Sequence, residues 1–189
     1  MLKRIKQYFF DRAVKKATAR VSHYRSWESI RTILVLFESD LQEKNTEARA
    51  FLKMLQNEGK RVVACCYVDK KVAETATLDN YVVLDRKKCN WLDKPIDTMV
   101  GNLLDEKFDV VMDMTECDVM PLQYMLLWAK CDFRCGRSRG EVGNKIYDFV
   151  IEMPERPIDP KTNAARIDYD FVGEMGSQIV KYLKLIKNE

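Results

Sequence analysis

The chain has 189 residues, enough for one domain that buries roughly 70% of its unfolded surface. At 47% hydrophobic and 32% charged residues with a net charge of +3, it has the composition of an ordinary globular protein and too little positive charge for nucleic-acid binding. The six cysteines impose no disulfide framework, and the charged start MLKRIKQYFFDRAVKKA lacks an uninterrupted apolar stretch, so the chain is expected to be cytoplasmic and reduced, without signal or membrane span.

Leu2, Ile5, Phe9, Ala13, Ala17, Val21 and Tyr24 recur at three- and four-residue intervals, the stripe of a long first helix. Lys3, Arg4, Lys6, Arg12, Lys15, Lys16 and Arg20 surround that stripe, so residues 1–28 read as a basic amphipathic helix ahead of a single α/β domain over residues 29–189. Such a helix docks on its own sheet, on a second copy or another protein, or weakly on an anionic membrane, where each basic residue adds on the order of 1 kcal/mol. His23, the one histidine, falls on this helix, and any Ser-His-Asp or Cys-His arrangement would have to recruit it.

Residues 31–37 (RTILVLF) form the expected first strand, followed by the polar turn Glu38, Ser39, Asp40 and a helix over 45–58 that Gly59 stops. Residues 61–68 are the second strand, on which Cys65 and Cys66 face opposite ways as buried thiols. After an irregular stretch over 70–80, a short third strand spans 81–84, and Pro95 opens a helix that runs to 105. The segment 108–138 is the clearest unit: the strand FDVVMDMT, the helix ECDVMPLQYMLLWAK with Asp118 as cap and Pro121 in its first turn, and the strand CDFRCGRS.

A sixth strand is expected over 147–152, then a connector with three prolines between 154 and 160. The last helix carries Phe171, Met175, Ile179, Tyr182 and Ile186 on one face, with Asp168 and Asp170 near its start and Lys181, Lys184 and Lys187 near its end. This alternation predicts a doubly wound α/β fold, a mainly parallel sheet of five or six strands with helices on both faces.

In such sheets ligands bind beyond the carboxyl ends of the strands, where the winding reverses. The turns there offer Glu38, Ser39 and Asp40 after the first strand, Asp69 and Lys70 after the second, and Asp113, Thr115, Glu116 and Asp118 after the fourth. Converging carboxylates suit a hard cation such as magnesium with a phosphate ligand, and Arg134, Arg137 and Arg139, followed by Gly140, Gly143 and Asn144, suit a phosphate or carboxylate. Ordinary roles compete: turn acids cap helices, and Asp132 and Glu141 are close enough in sequence to neutralise the arginines.

Neither G-x-x-x-x-G-K nor G-x-G-x-x-G follows the first strand, and no cofactor, metal-ligand set or catalytic signature emerges. Cys131 and Cys135, on one strand face about 13 Å apart, cannot pair, while Cys117 lies near a helix N-terminus, where a thiol pKa can fall. Trp27, Trp91 and Trp128 are expected in the core or an interface.

On the run FDVVMDMT…PLQYMLLWAKCDFRCGRS and the basic first helix, the whole chain resembles a family of uncharacterised Bacteroidota proteins, a domain of unknown function. The same run is similar, more distantly, to the acceptor-side half of heptosyltransferase-type glycosyltransferases, through Phe108, Asp109, Asp113, Arg134 and Gly136. This second resemblance implies topology over at most about half of the chain; where that family has a Gly-Asp turn with a catalytic acid, Ser39-Asp40 stands here.

The favoured reading is a non-catalytic domain that acts through a partner, a homo-oligomeric contact or a peripheral membrane surface. Its alternative is a small phosphate-ligand or nucleotide-sugar-binding enzyme. A deep pocket joining Asp40, Asp113 and Glu116 favours the enzyme, and an exposed apolar patch favours the docking surface.

Overall fold

The structure is a computed structural model that describes residues 2–17, 21–39, 43–69, 81–154, 157, 160–161 and 170–186. Arg20, Asp40, the 70–80 segment, Asp168 and Lys187, all of which enter the sequence reading, lie outside the described residues.

Six strands form one sheet: β1 (Thr32–Glu38), β2 (Arg61–Val68), β3 (Tyr81–Asp85), β4 (Lys107–Asp113), β5 (Lys130–Arg137) and β6 (Phe149–Ile151). They lie in the order β3-β2-β1-β4-β5-β6, and every neighbouring pair is parallel. The central strands are apolar on both faces because both faces are covered. Ile33, Val35 and Phe37 of β1 point to one core with Val110, Met112, Phe133 and Cys135, while Leu34 and Leu36 point to the other with Val63, Cys65 and Val111. Cys65 and Cys66 accordingly belong to opposite cores.

The first core lies under α2 (Glu43–Asn57) and α6 (Phe171–Leu185). These helices cross closely at Gly176, where a Cβ would collide with the Phe51 ring. The Asp170 carboxylate caps α6 by accepting from the Gly173 amide at 2.6 Å, and Gly59 ends α2 in the left-handed region at φ 78°. The second core lies under α1 (Leu2–Ala17), α3 (Asp97–Asp105) and α4 (Met120–Trp128). Every residue from Pro121 to Leu127 is buried, because α4 sits between the sheet and α1; its all-round apolar sequence follows from that position.

Four local expectations change. The first helix is described over Leu2–Ala17, and residues 21–26, with Val21, His23 and Tyr24, are not helical; the His23 amide donates to the Asp132 carbonyl at 3.0 Å. Its buried face is set by Phe10 and Val14 rather than by Leu2, Ile5 and Phe9, because Phe10 stacks edge-on against Tyr124 at 5.1 Å. Pro95 does not open α3 but pairs with Cys89 in an isolated antiparallel bridge, and the helix starts at Asp97. Asp118 does not cap α4: Val119 holds the cap position, and a stronger partner claims the carboxylate.

A short helix, α5 (Gly140–Gly143), follows β5. Because the chain leaves β1 through α2 on one face and β4 through α4 on the other, the winding reverses between β1 and β4, and their carboxyl ends border a crevice.

Candidate functional site

At the carboxyl end of β4, Asp113 is 1% exposed, and both its oxygens are engaged. Oδ1 accepts from the Thr115 amide at 3.0 Å and the Thr115 hydroxyl at 2.7 Å, in a tight turn of the loop; Oδ2 accepts from Tyr147 Oη and from Arg139 Nη2 at 3.1 Å. Arg139, just past β5, is saturated in turn. Its Nε donates to Tyr147 Oη at 2.9 Å, Nη1 to the Cys117 carbonyl at 3.0 Å and Asp118 Oδ1 at 2.6 Å, and Nη2 also to the Thr115 carbonyl at 3.0 Å and hydroxyl.

Burial opposes the charge on Arg139, but Asp113 and then Tyr147 beside it hold the guanidinium above its ordinary value. Burial, reinforced by the Asp113 charge, pushes the Tyr147 phenol well up, so it remains a protonated donor. The ring of Tyr147 lies so close to β5 that a Cβ on Gly136 would come within 2.6 Å of its Cε1. This group is a strap across the loops after β4 and β5 and the approach to β6: a buried, hydrogen-bonded pair whose donors and acceptors are consumed internally.

Beside the strap, on the α1 and α4 side of the sheet, lies a cleft of about 640 Å³ open to solvent. Its polar lining comes from Glu38 and Ser39 after β1, Tyr67 and Asp69 after β2, Asp118 after β4, Asp93 from the loop before α3, and Lys3 and Lys6 from α1; Leu2, Val119, Met120 and Pro121 supply the apolar wall. Glu38 Oε1 accepts from the Glu116 and Cys117 amides at 3.0 and 3.2 Å and so joins the ends of β1 and β4. Asp69 is gripped by Arg86 at 2.6 and 2.9 Å, and Asp93 by Lys6 at 2.6 Å. Burial, then the Asp69 charge, raises Tyr67 to about 12.

The structure thus separates the residues nominated in sequence. Asp113, Thr115 and Arg139 meet in the strap; Glu116 contributes its amide to Glu38. Arg134 is distant from them in role: buried on β5, its Nη2 donates to the Leu127 and Ala129 carbonyls at 3.0 and 3.2 Å, closing the end of α4. Arg137 is half-buried, with no hydrogen-bond partner on its Nε. Of the expected neutralisers, Asp132 pairs with Lys107 at 2.6 Å at the opposite end of the sheet, while Asp113 and Asp118 neutralise Arg139. Glu38, Ser39, Asp69 and Asp118 do line the cleft, as strand-end residues should.

Tyr147, Tyr67 and Asp93 are absent from the sequence reading, and Lys3 and Lys6 enter it only as part of the basic first helix; only the general rule that strand ends carry sites points towards Tyr67. Among the described residues, no three His, Cys, Asp or Glu side chains converge as a metal site, and no helix is long and apolar enough to cross a membrane.

No curated protein matches the chain. Among solved structures it is similar to the E. coli heptosyltransferase WaaC with ADP, at a TM-score of 0.48 and 11% identity, covering 78% of this chain and 46% of that one. The chain therefore spans about half the length of that transferase. Over residues 4–166 the chain matches DUF6913, and it belongs to that family of unknown function.

Proposed function

We propose that the protein is a non-catalytic module that docks on an anionic membrane through the outer face of α1 and the neighbouring loop 86–94. The observation that carries this reading is the joint segregation of charge and exposed aromatic surface. Residues 2–17 and 86–94 hold ten basic residues against Asp11 and Asp93, a surplus of eight; with the whole chain at +3, the remainder stands at −5. On this basic face Tyr8 and Trp91 are each 63% exposed and Leu2 57%, with Ile5 and Phe9 also exposed. The edge-on contact of Phe9 and Trp91 at 6.5 Å and the Lys6–Asp93 bridge hold helix and loop together.

A folded core does not need these apolar side chains outside, and a basic rim around them matches the boundary between anionic headgroups and acyl chains. At on the order of 1 kcal/mol per basic residue near such a surface, several contacts give reversible, salt-sensitive attachment. The spent hydrogen bonds of Asp113 and Arg139 support the non-catalytic half of the reading.

Flotation of the full chain with phosphatidylglycerol-containing vesicles tests the proposal. The protein should rise with anionic vesicles at low salt, stay down with pure phosphatidylcholine, and lose its attachment in Tyr8→Ser/Trp91→Ser. A protein that stays at the bottom with anionic vesicles, or self-associates through this face instead, overturns it.

A further inference from the structure

The loop that joins β3 to α3 is braced by hydrogen bonds along its whole length, and it holds Trp91 at its tip. Asn90, Trp91, Leu92 and Asp93 form a turn that the Asp93 amide closes by donating to the Asn90 carbonyl at 3.0 Å, with Asp93 in the left-handed region at φ 60°. The Asn90 side chain locks this turn. Its Oδ1 accepts from the Leu92 and Lys94 amides at 2.9 and 3.1 Å, while the Asn90 amide donates to the Lys94 carbonyl at 2.9 Å. An asparagine at the first position of a turn that ends in a left-handed residue is the arrangement of a tight hairpin tip. Behind the tip, Cys89 bridges Pro95, the Ile96 amide donates to the Lys88 carbonyl at 2.9 Å, and Asp85 Oδ1 accepts from the Lys87 and Lys88 amides at 2.8 and 3.1 Å. Trp91 therefore stands exposed on a fixed support, with the Phe9 ring edge-on beside it.

Charge is distributed differently. Most of the loop's cations are committed internally: Arg86 to Asp69, Lys88 to the Val83 carbonyl at 2.6 Å, and Lys94 over the Trp128 ring at 4.8 Å. On α1, by contrast, Lys3, Arg4, Arg12, Lys15 and Lys16 all stand exposed. We infer that the loop is a preformed apolar wedge: Trp91 is the ring that enters the acyl boundary of an anionic membrane, Asn90 is the positioning residue that holds it there, and α1 supplies the electrostatic contact. This inference rests on the docking reading and names the residues that set its geometry. A tryptophan suits the role, because its apolar body and its N–H belong at a boundary with water on one side. Bracing the ring before contact removes the ordering cost that a flexible loop incurs on binding.

The test is fluorine NMR of the full chain carrying fluorotryptophan, with the Trp91 resonance assigned by Trp91→Phe, on phosphatidylglycerol-containing vesicles that include a lipid spin-labelled near the top of its acyl chain. In the vesicle-bound protein the label should broaden the Trp91 resonance and spare that of buried Trp27. This readout uses the unaltered chain, so it stands even where a loop variant misfolds. Asn90→Ala alters no charge; it should weaken vesicle partitioning at least about threefold, the scale of ordering one freed side chain. The salt dependence should stay that of the wild type, because the α1 cations are untouched. Asn90→Ser, which returns a shorter side-chain acceptor, should recover part of the loss. A protein that floats with Trp91 unbroadened, a smaller loss or an altered salt dependence in Asn90→Ala, or no recovery in Asn90→Ser overturns the inference and leaves the docking reading standing. A wild type that does not float removes both.

Discussion

The two ends of the sheet solve the same problem differently. Where the strands begin, Lys60 is 7% exposed, yet its Nζ meets only neutral partners: it donates to the Trp27 and Ile30 carbonyls at 2.6 and 2.9 Å and sits 4.8 Å over the Trp27 ring. Burial, then the Arg31 charge, holds Lys60 below its ordinary value. Glu58 closes this end by accepting from Trp27 Nε1 at 2.8 Å and from Lys184 Nζ at 2.9 Å, which ties α2, α6 and the segment before β1 together. Where the strands finish, a full ion pair, Arg139 with Asp113, is buried at 2% side-chain exposure on each side. The lower clamp holds helices and strand starts together, whereas the upper one stands beside the cleft that Glu38, Asp93 and Asp118 line. The difference teaches that a buried charge cluster at strand ends can serve as scaffold, its donors and acceptors spent on joining the loops.

Breaking the upper strap should have the largest effect. Asp113→Ala leaves the Arg139 guanidinium and Tyr147 hydroxyl facing each other without their acceptor, a loss of about 3–5 kcal/mol in urea unfolding. Asp113→Ala with Arg139→Met should regain part of that, because no buried unpaired charge remains and Asp118, which loses Arg139, is 71% exposed to water. A loss of less than about 1 kcal/mol in the single variant would mean that the strap is not structural. The lower clamp should yield less: Lys60→Met deprives two neutral carbonyls of a charged donor, about 1.5–3 kcal/mol. If Lys60→Met proves the costlier of the two, the ranking of the ends reverses.

The sheet is readable in the sequence because burial on both faces forces apolar runs such as ILVLF and VVM, and alternation with helices implies parallel pairing, while the order of the strands comes only with the structure. The strand-end acids were readable for the same reason. Their partners were not: Arg139 lies 26 positions from Asp113, Tyr147 lies 34 from it, and Lys6 lies 87 from Asp93. Pairings of that separation are decided by how loops and an added helix settle, which no local pattern encodes. The buried face of α1 was misjudged because Phe9 and Phe10 are adjacent and equally apolar; only the position of Tyr124 chooses Phe10.

The smallest effect separates the ends by pH. At the lower end the Asp109 carboxylate accepts from the Arg31 and Thr32 amides at 2.7 and 2.9 Å and the Thr32 hydroxyl. Burial opposes its charge, but these bonds prevail and hold it below its ordinary value. A lowered carboxylate stabilises the fold above its unfolded value, about 3.9, and that stability fades as pH falls through the folded value. Tyr147 at the upper end is raised, so its contribution is complete below about pH 10 and shrinks above it, by about 0.4 kcal/mol at pH 10 itself. Buried Cys66, raised to about 11 chiefly by burial, and Tyr24, raised to about 12 by burial and then Glu28, add their own alkaline slopes. The informative quantity is therefore a difference between wild type and variant. Across urea unfolding from about pH 2.5 to about pH 10.5, a range that brackets the ordinary titration of a carboxylate and of a phenol, Asp109→Asn should flatten only the acid limb and Tyr147→Phe only the alkaline one. Identical limbs in wild type and Tyr147→Phe would show that the upper strap does not discriminate the protonation state of its phenol, and the contrast between the ends would then rest on the ion pair alone.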